Sequence, residues 1–441
     1  MLELGFINPT SDYLFDPFKG DPHAHFHLLT IIESRLENKV NAQLIDLRGI
    51  KKEFTLKHIP ECDIYLHSVY TLDWDEQNQL VKALRERYPK AKHIAGGYHV
   101  NLFPKESQEN FDSIILGEGE ESIIKALQDF NGSGMKKVYH QEEKTDINDY
   151  PFPLRKYIPQ SSVARKGLLN SRHNKDYGEL LSTTTVFSRG CPYNCSFCAV
   201  PQMRDYAPGI RFRRPEFISE EIEYLKREYG IRAISMSDEI SIPLNLLRAI
   251  SHLEAIASTG IKWRGQCRVD GITPELARLA KESGCVSLGM GVESVSQKSL
   301  DLINKKINVE ESKLAIRHLK ESGIETRLYL IMGLPAEPEN IVEKTWQFIE
   351  ETSPEMVYLS LFTLRPGTEV YEHPERFGIE WINTDWNKTM HMIGRYSNET
   401  PNLTFRYAKQ TPWDRSFSEK EIIENYMELQ KRLKENNLAT L

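Results

Sequence analysis

Cys191, Cys195 and Cys198 stand in one stretch, SRGCPYNCSFCAV at 188–200, so a chain with six cysteines in 441 residues keeps half of its thiols within eight positions. That is too sparse for a disulfide scaffold, which small secreted domains build by using cysteine densely. Cys62, Cys267 and Cys285 lie singly among apolar neighbours, where a free thiol packs as a small hydrophobe. The three clustered thiols read instead as metal ligands. Spaced C-x3-C-x2-C, they reach three irons of a [4Fe–4S] cube whose ligation ordinarily takes four cysteines, which leaves one iron open to another ligand. Zinc is the competing reading. It wants a fourth Cys or His nearby, which the flanks STTTVFSRG and AVPQMRDYAPG do not offer.

Such a loop needs a scaffold, and the chain reads as α/β. Short β-branched runs at 2–8, 42–47, 63–69, 92–98 and 112–118 alternate with helical periodicity, as in DWDEQNQLVKALRERY and GEESIIKALQDF. Strand and helix in series predict a doubly wound parallel sheet over 1–134 that binds ligands at the carboxyl ends of its strands. That edge contains Ser68 and the pair Gly96 and Gly97, whose plain alternative is a strand-to-helix turn. Residues 135–180 are rich in turn signals and prolines and read as a connector. Six further strand–helix units over 181–372 predict a partial (β/α)6 barrel, short of the full eight, with the cysteine loop at the end of its first strand. Residues 373–441 form a C-terminal extension ending in the helix signal SEKEIIENYMELQKRLKENN, with Ser as N-cap.

Composition bounds the rest. A net charge of −7 gives no basic footprint for nucleic acid, and 40% hydrophobic residues suffice for packed cores. No apolar run approaches the roughly 18 residues of a membrane span, and the N-terminus lacks a secretory signal, so the expected location is cytoplasmic.

The loop, with IRFRRPEFISEEIEYLKREYG after it and LGMGVESVSQKSLDLINKK, LYLIMGLPAEPENIVEKT and RPGTEVYE further on, resembles the radical S-adenosylmethionine (SAM) superfamily. The N-terminal stretches DIYLHSVYT, HIAGGYHV and DSIILGEGEES are similar to the cobalamin-binding domain that precedes the barrel in one large subgroup. The resemblance implies that Cys191, Cys195 and Cys198 hold a [4Fe–4S] cluster whose free iron takes the amino and carboxylate groups of SAM, and that reductive cleavage yields a 5′-deoxyadenosyl radical. It implies SAM contacts from the backbone at Phe197, from Asp238, which departs from the commoner Gly-Gly-Glu, from Glu293, and from Arg268 or Arg327 at the carboxylate. It further implies cobalamin along Ser68, Gly96 and Gly97, and an electron donor such as flavodoxin or ferredoxin. The reaction it favours is cobalamin-dependent methylation of an unactivated carbon. The alternatives are a cobalamin-free radical rearrangement, dehydration or cyclisation and, more remotely, a non-catalytic iron–sulfur protein.

Two segments remain. KGDPHAHFH places Asp21 and His23 in the first half of a D-x-H-x-x-G cobalt motif, but Phe26 stands where the glycine belongs, so the match reads as chance and the histidines as a solvated helix start. The aromatic tail with Trp381, Trp386, Phe405, Tyr407 and Trp413 is expected either to cover the barrel mouth as a lid or to pack against the barrel side. As a lid, its deletion over 381–441 would leave the cluster intact and uncouple the chemistry.

Overall fold

The computed structural model describes all residues except 13, 15, 19, 142–145, 202–208, 385–402 and 440–441, so Trp386 lies outside it. The chain divides into two compact units, the first built on Met1–Val163 and the second on Ala164–Gln202 with Gly209–Leu441. Among the described residues no helix is long and apolar enough to cross a membrane.

In the first unit the strands are β1 (Leu2–Asn8), β2 (Val40–Asp46), β3 (Ile64–Ser68), β4 (Lys92–Gly96), β5 (Ser113–Leu116) and β6 (Val138–His140), in the order β2-β1-β3-β4-β5-β6. All pairings are parallel. The sixth strand comes from the segment read as connector. The winding reverses between β1 and β3, and in such sheets ligands bind at the carboxyl ends beside the reversal. Ser68 and Gly96 are the last residues of β3 and β4. Gly97 has φ of 101°, and a Cβ there would lie 2.9 Å from the backbone N and O of Val69, so its glycine is required by the turn itself. At Gly96 a Cβ meets nothing nearer than Ile115 at 3.7 Å, so packing alone does not demand a glycine.

The histidines are not a solvated helix start. The helix His23–Arg35 buries His25 and His27, whose Nε2 atoms reach Ile7 O at 3.2 Å and Glu120 Oε1 at 3.0 Å. Those partners lie elsewhere in the chain, so the local sequence carries no sign of them. Deeper in the sheet, His67 Nδ1 meets Gln77 Oε1 at 2.8 Å and His67 Nε2 meets His93 Nδ1 at 3.1 Å, a contact that is lost once both rings are protonated. Burial lowers His25, His67 and His99 to about 4 and His93 to about 3, from 6.5. The unfolded chain therefore binds more protons below pH 6.5, and these groups stabilise the fold fully only above that value. Stability is expected to fall between pH 6.5 and 4, by about 1.4 kcal/mol per unit for each histidine. Amide exchange of 64–68 and 92–96, compared at pH 7.5 and 5 after correction for intrinsic rates, tests this; equal protection at both would refute it.

In the second unit β7 (Ser182–Thr185), β10 (Ala233–Met236), β11 (Lys262–Cys267), β12 (Cys285–Glu293), β13 (Glu325–Met332) and β14 (Met356–Leu361) pair in chain order, all parallel, with β7 and β14 at the edges. A short antiparallel pair, β8 (Ser188–Arg189) with β9 (Arg211–Phe212), brackets the cysteine loop. One face of the sheet, with Leu288, Met290, Leu328, Leu330, Val357 and Leu359, packs under helices through Leu225, Leu253, Ile316 and Ile349. The other face, with Arg264, Gln266, Gly291, Tyr329, Tyr358 and Ser360, is half-buried and polar. A closed barrel fills its interior with branched apolar side chains. This open one keeps a lumen where aromatic rings stand beside a few convergent polar groups, the mixture by which a ligand cavity orients its ligand.

The extension is part of that core. An antiparallel pair, β15 (Ile379–Ile382) with β16 (Phe405–Tyr407), and the helix Glu419–Glu435, started by a Ser418–Glu421 capping box, bury Phe405, Tyr407, Leu429 and Leu433. Trp413 packs against the same cluster, while Trp381 is 43% exposed.

Candidate functional site

β7 runs out toward Phe187 and Ser188, whose backbone N–H groups both donate to Asp238 Oδ1 just beyond β10, the first at 2.8 Å. This anchors the entry to the cysteine loop. Gly190 then turns with φ of 85°, and a Cβ there would lie 2.2 Å from Gly209 O, so only glycine lets the two ends of the loop approach.

The loop is held from several sides. Ser196 N donates to Ile303 O at 2.9 Å, Val370 N donates to Ser196 O at 3.1 Å, and Ser196 Oγ donates to Glu369 Oε2 at 2.7 Å. Asn304 Nδ2 donates to Asn194 O at 2.7 Å. All three thiols are free of disulfides, with Cys195 buried and the other two half-buried. Burial pushes the Cys191 and Cys198 thiols up. Among the described residues no three His, Cys, Asp or Glu side chains converge on a single ion. A cube asks for less convergence, because each thiolate binds a different iron.

Arg268 has little left to offer a ligand. Its Nε donates to Asp270 Oδ1 at 2.7 Å and its Nη2 to Lys305 O at 2.8 Å, while Nη1 lies 3.9 Å from Cys195 Sγ. Its guanidinium stacks 3.5 Å from the Tyr193 ring centroid, and Tyr193 Oη donates to Asp270 Oδ2 at 2.9 Å. It clamps the loop and sets a positive charge against the thiol of Cys195. Glu293, at the end of β12, pairs with Lys305 Nζ at 2.7 Å, and that ammonium lies 6.0 Å from the Phe197 ring. Glu293, Asn304 and Lys306 have φ of 63°, 53° and 52°, a left-handed cluster in non-glycine residues of the kind that gathers at ligand sites.

Asp238 is 1% exposed, its Oδ2 has no hydrogen-bond partner, and burial, the largest cause, pushes its carboxyl up to about 7. A buried acceptor without a donor is costly unless a ligand supplies one. Cys191, Cys195, Cys198, Phe197, Asp238, Arg268 and Glu293 thus gather around the carboxyl-terminal ends of β7 and β10–β12. Arg327 does not join them. It is the third residue of β13, and its Nη2 donates to Asn170 O at 2.6 Å. Ser68, Gly96 and Gly97 stand in the first unit, on a strand edge of their own. Tyr193, Asp270, Asn304 and Lys305 were not found from the sequence. Tyr193, inside the cysteine loop, and Asp270, two residues from Arg268, carried a local signal.

Over residues 185–349 the sequence matches the radical SAM superfamily. It is 29% identical over 291 residues to an uncharacterised methyltransferase of Pyrococcus horikoshii, covering 64% of this chain and 62% of that protein. It is 27% identical over 317 residues to the anaerobic magnesium-protoporphyrin IX monomethyl ester cyclase of Cereibacter sphaeroides, covering 67% and 50%. It is 28% identical over 284 residues to the bacteriochlorophyllide d C-12(1)-methyltransferase of Chlorobaculum tepidum, covering 63% and 59%. The chain therefore matches these relatives over between 50% and 62% of their length. Among solved structures it superposes on the radical SAM methyltransferase TsrM of Kitasatospora setae, bound to cobalamin and a [4Fe–4S] cluster, with a TM-score of 0.70 at 16% identity over 100% of this chain and 90% of that one. OxsB, a cobalamin-dependent SAM radical enzyme with aqua-cobalamin bound, gives 0.65 at 19% identity over 85% and 55%. At these identities the likeness is one of fold.

Proposed function

The chain belongs to the radical SAM superfamily, and from that premise we propose that it is a cobalamin-dependent enzyme that methylates an unactivated carbon of its substrate. The observation that carries this reading is the clamped three-cysteine loop at the carboxyl edge of an open parallel barrel, with the unpartnered Asp238 carboxyl oxygen beside its entry. Cys191, Cys195 and Cys198 hold the cluster. Asp238 and Glu293 offer acceptors to the amino and ribose groups of SAM, and the backbone at Phe197 meets its adenine. Arg268 positions the loop, and its charge offsets the negative charge of a thiolate-bound cluster. When bound, the cluster and SAM supply reductive cleavage to a 5′-deoxyadenosyl radical, and cobalamin supplies the methyl group. The electrons come from a low-potential carrier of the flavodoxin or ferredoxin kind.

For cobalamin, the support is the doubly wound sheet with Ser68 and Gly96 at its carboxyl edge and the room at Gly96 that packing leaves unused. Protein loaded with hydroxocobalamin and desalted is expected to keep the cobalamin visible spectrum. Gly96→Leu is expected to lose it with the far-ultraviolet dichroism unchanged, whereas Gly97→Ala damages the fold itself. If the unaltered protein keeps no cobalamin, a second reading replaces the first: a radical cyclisation or rearrangement with a vestigial N-terminal unit, which the likeness to the magnesium-protoporphyrin ester cyclases favours.

A further inference from the structure

The lumen of the half-barrel holds two arginines that make no direct ion pair with a described carboxylate. Arg264 is the third residue of β11 and Arg327 the third of β13, and both point into the lumen. They stand in near register: Gln266 pairs with Gly289 and Gly289 with Arg327, while Arg264 lies two residues before Gln266 on the same face. Gly289 leaves the strand between them bare. A Cβ there would lie 2.4 Å from the Tyr329 hydroxyl, so Tyr329 reaches across β12 toward Arg264, with Tyr358 5.2 Å from it between ring centroids.

Only neutral acceptors meet the two guanidinium groups. Arg264 Nε donates to Ser235 Oγ at 2.8 Å, and Arg327 Nη2 donates to Asn170 O. Arg327 is 4% exposed and its Nε has no hydrogen-bond partner. The carboxylates at this end of the barrel are engaged elsewhere. Glu325 Oε1 accepts from Ser171 Oγ and His173 N, and Glu355 accepts from Thr326 and meets His173. The electrostatics agree with the geometry: burial, and then Arg327, lowers Arg264 to about 10, and only Tyr358 and Tyr329 oppose the shift. Burying two like charges without a counter-charge is costly. Two guanidinium forks and two phenol hydroxyls together form a donor-rich site suited to a carboxylate or a phosphate.

We propose that Arg264 and Arg327, with Tyr329 and Tyr358, form an anion site on the floor of the barrel that anchors the substrate by a carboxylate or phosphoryl group. The substrate role rests on the radical SAM reading above; the anion site does not. The floor sets a length. Arg327 lies five residues below the end of β13 at Met332, about 13 Å of height at ~3.3 Å per residue and barrel tilt. The cysteine loop is at the upper edge. The substrate is therefore elongated, with its reacting carbon on the order of 10 Å from its anionic end, again from the rise per residue.

The test is chemical modification of the cluster-loaded protein with phenylglyoxal, read by peptide mass at each arginine, with and without inorganic phosphate or glutarate at matched ionic strength. Saturable protection of Arg264 and Arg327 by several-fold, with the exposed Arg278 unprotected, is expected, and the tighter probe identifies the anion as phosphoryl or carboxylate. Absent protection, or equal protection at Arg278, overturns the site. Arg264→Gln is expected to abolish protection at Arg327 and, by removing an unbalanced charge, to raise the unfolding temperature without anion. A lower unfolding temperature with Arg327 still protected means that Arg264 only holds the barrel together, which overturns the proposal. Arg264→Lys keeps the charge and the fold but loses the fork, and is expected to weaken protection about tenfold. None of these readouts passes through SAM cleavage. Protection in a protein that does not cleave SAM overturns the functional reading alone, and cleavage without protection overturns the anion site alone.

Discussion

Cys195→Ala, reconstituted anaerobically with iron and sulfide, retains no [4Fe–4S] absorbance and forms no 5′-deoxyadenosine above background. Of the three loop thiols it is the buried one, and the one that Arg268 approaches. Its neighbour Ser196 is bonded through N, O and Oγ to the chain around Ile303 and Val370, so the position cannot drift to let another thiol take its place. With two cysteine ligands left, a cube loses a second protein ligand on top of the iron it already leaves open. Cys267→Ala is the control. That thiol is as buried as Cys195, but burial pushes it up to about 12 among apolar neighbours, so it packs as a small hydrophobe and never as a thiolate. The control is expected to keep the cluster and SAM cleavage. Iron retained with SAM cleavage intact in Cys195→Ala would remove the cluster assignment and everything built on it.

The cysteine loop was legible because its chemistry is local: three ligands within eight residues need no knowledge of the rest of the chain. The parallel strands were legible for a related reason. Strands buried on both faces, such as β5 with Ile114 and Ile115, run apolar and β-branched between turn signals. What could not be read was every contact whose halves lie far apart. Tyr193 and Asp270 are separated by 77 positions, and Lys305 sits in an NKK run that looks like solvated surface until Glu293 is placed beside it. Arg327 shows the same limit from another direction. Alternation indicates which face of a strand a residue occupies, but not how deep in the barrel it lies. A strand as short as Val138–His140 offers no periodicity at all, and pairing with β5 alone makes it part of the sheet.

The C-terminal extension carries the other large effect: a chain ended after residue 380 is expected to lose the barrel rather than merely its coupling. Read from composition, the aromatics of this segment suit either a lid whose removal spares the cluster or packing against the barrel side. The packing of the described residues favours the second. Phe405, Leu429 and Leu433 are 0% exposed and Ile422 is 1% exposed, all in the same cluster as the strands that position the cysteine loop. Tyr407 Oη donates to Gly333 O at 2.9 Å just past β13, and Val357 N in the edge strand β14 donates to Leu438 O at 2.9 Å. Gly333 also leaves room for Ile422 of the last helix, since a Cβ there would stand 2.8 Å from Ile422 Cγ2. At about 1.5–3 kcal/mol for each buried side chain, the five rings and branches sum to about 10 kcal/mol. That is comparable with the whole stability of an ordinary domain, about 5–15 kcal/mol. The truncated chain is therefore expected to be insoluble or to unfold without a cooperative transition. Phe405→Ala in the full chain is expected to cost about 3–5 kcal/mol, read as a lower urea midpoint. A soluble truncated protein with an unchanged midpoint and a bound cluster would return the segment to the surface and reopen the lid.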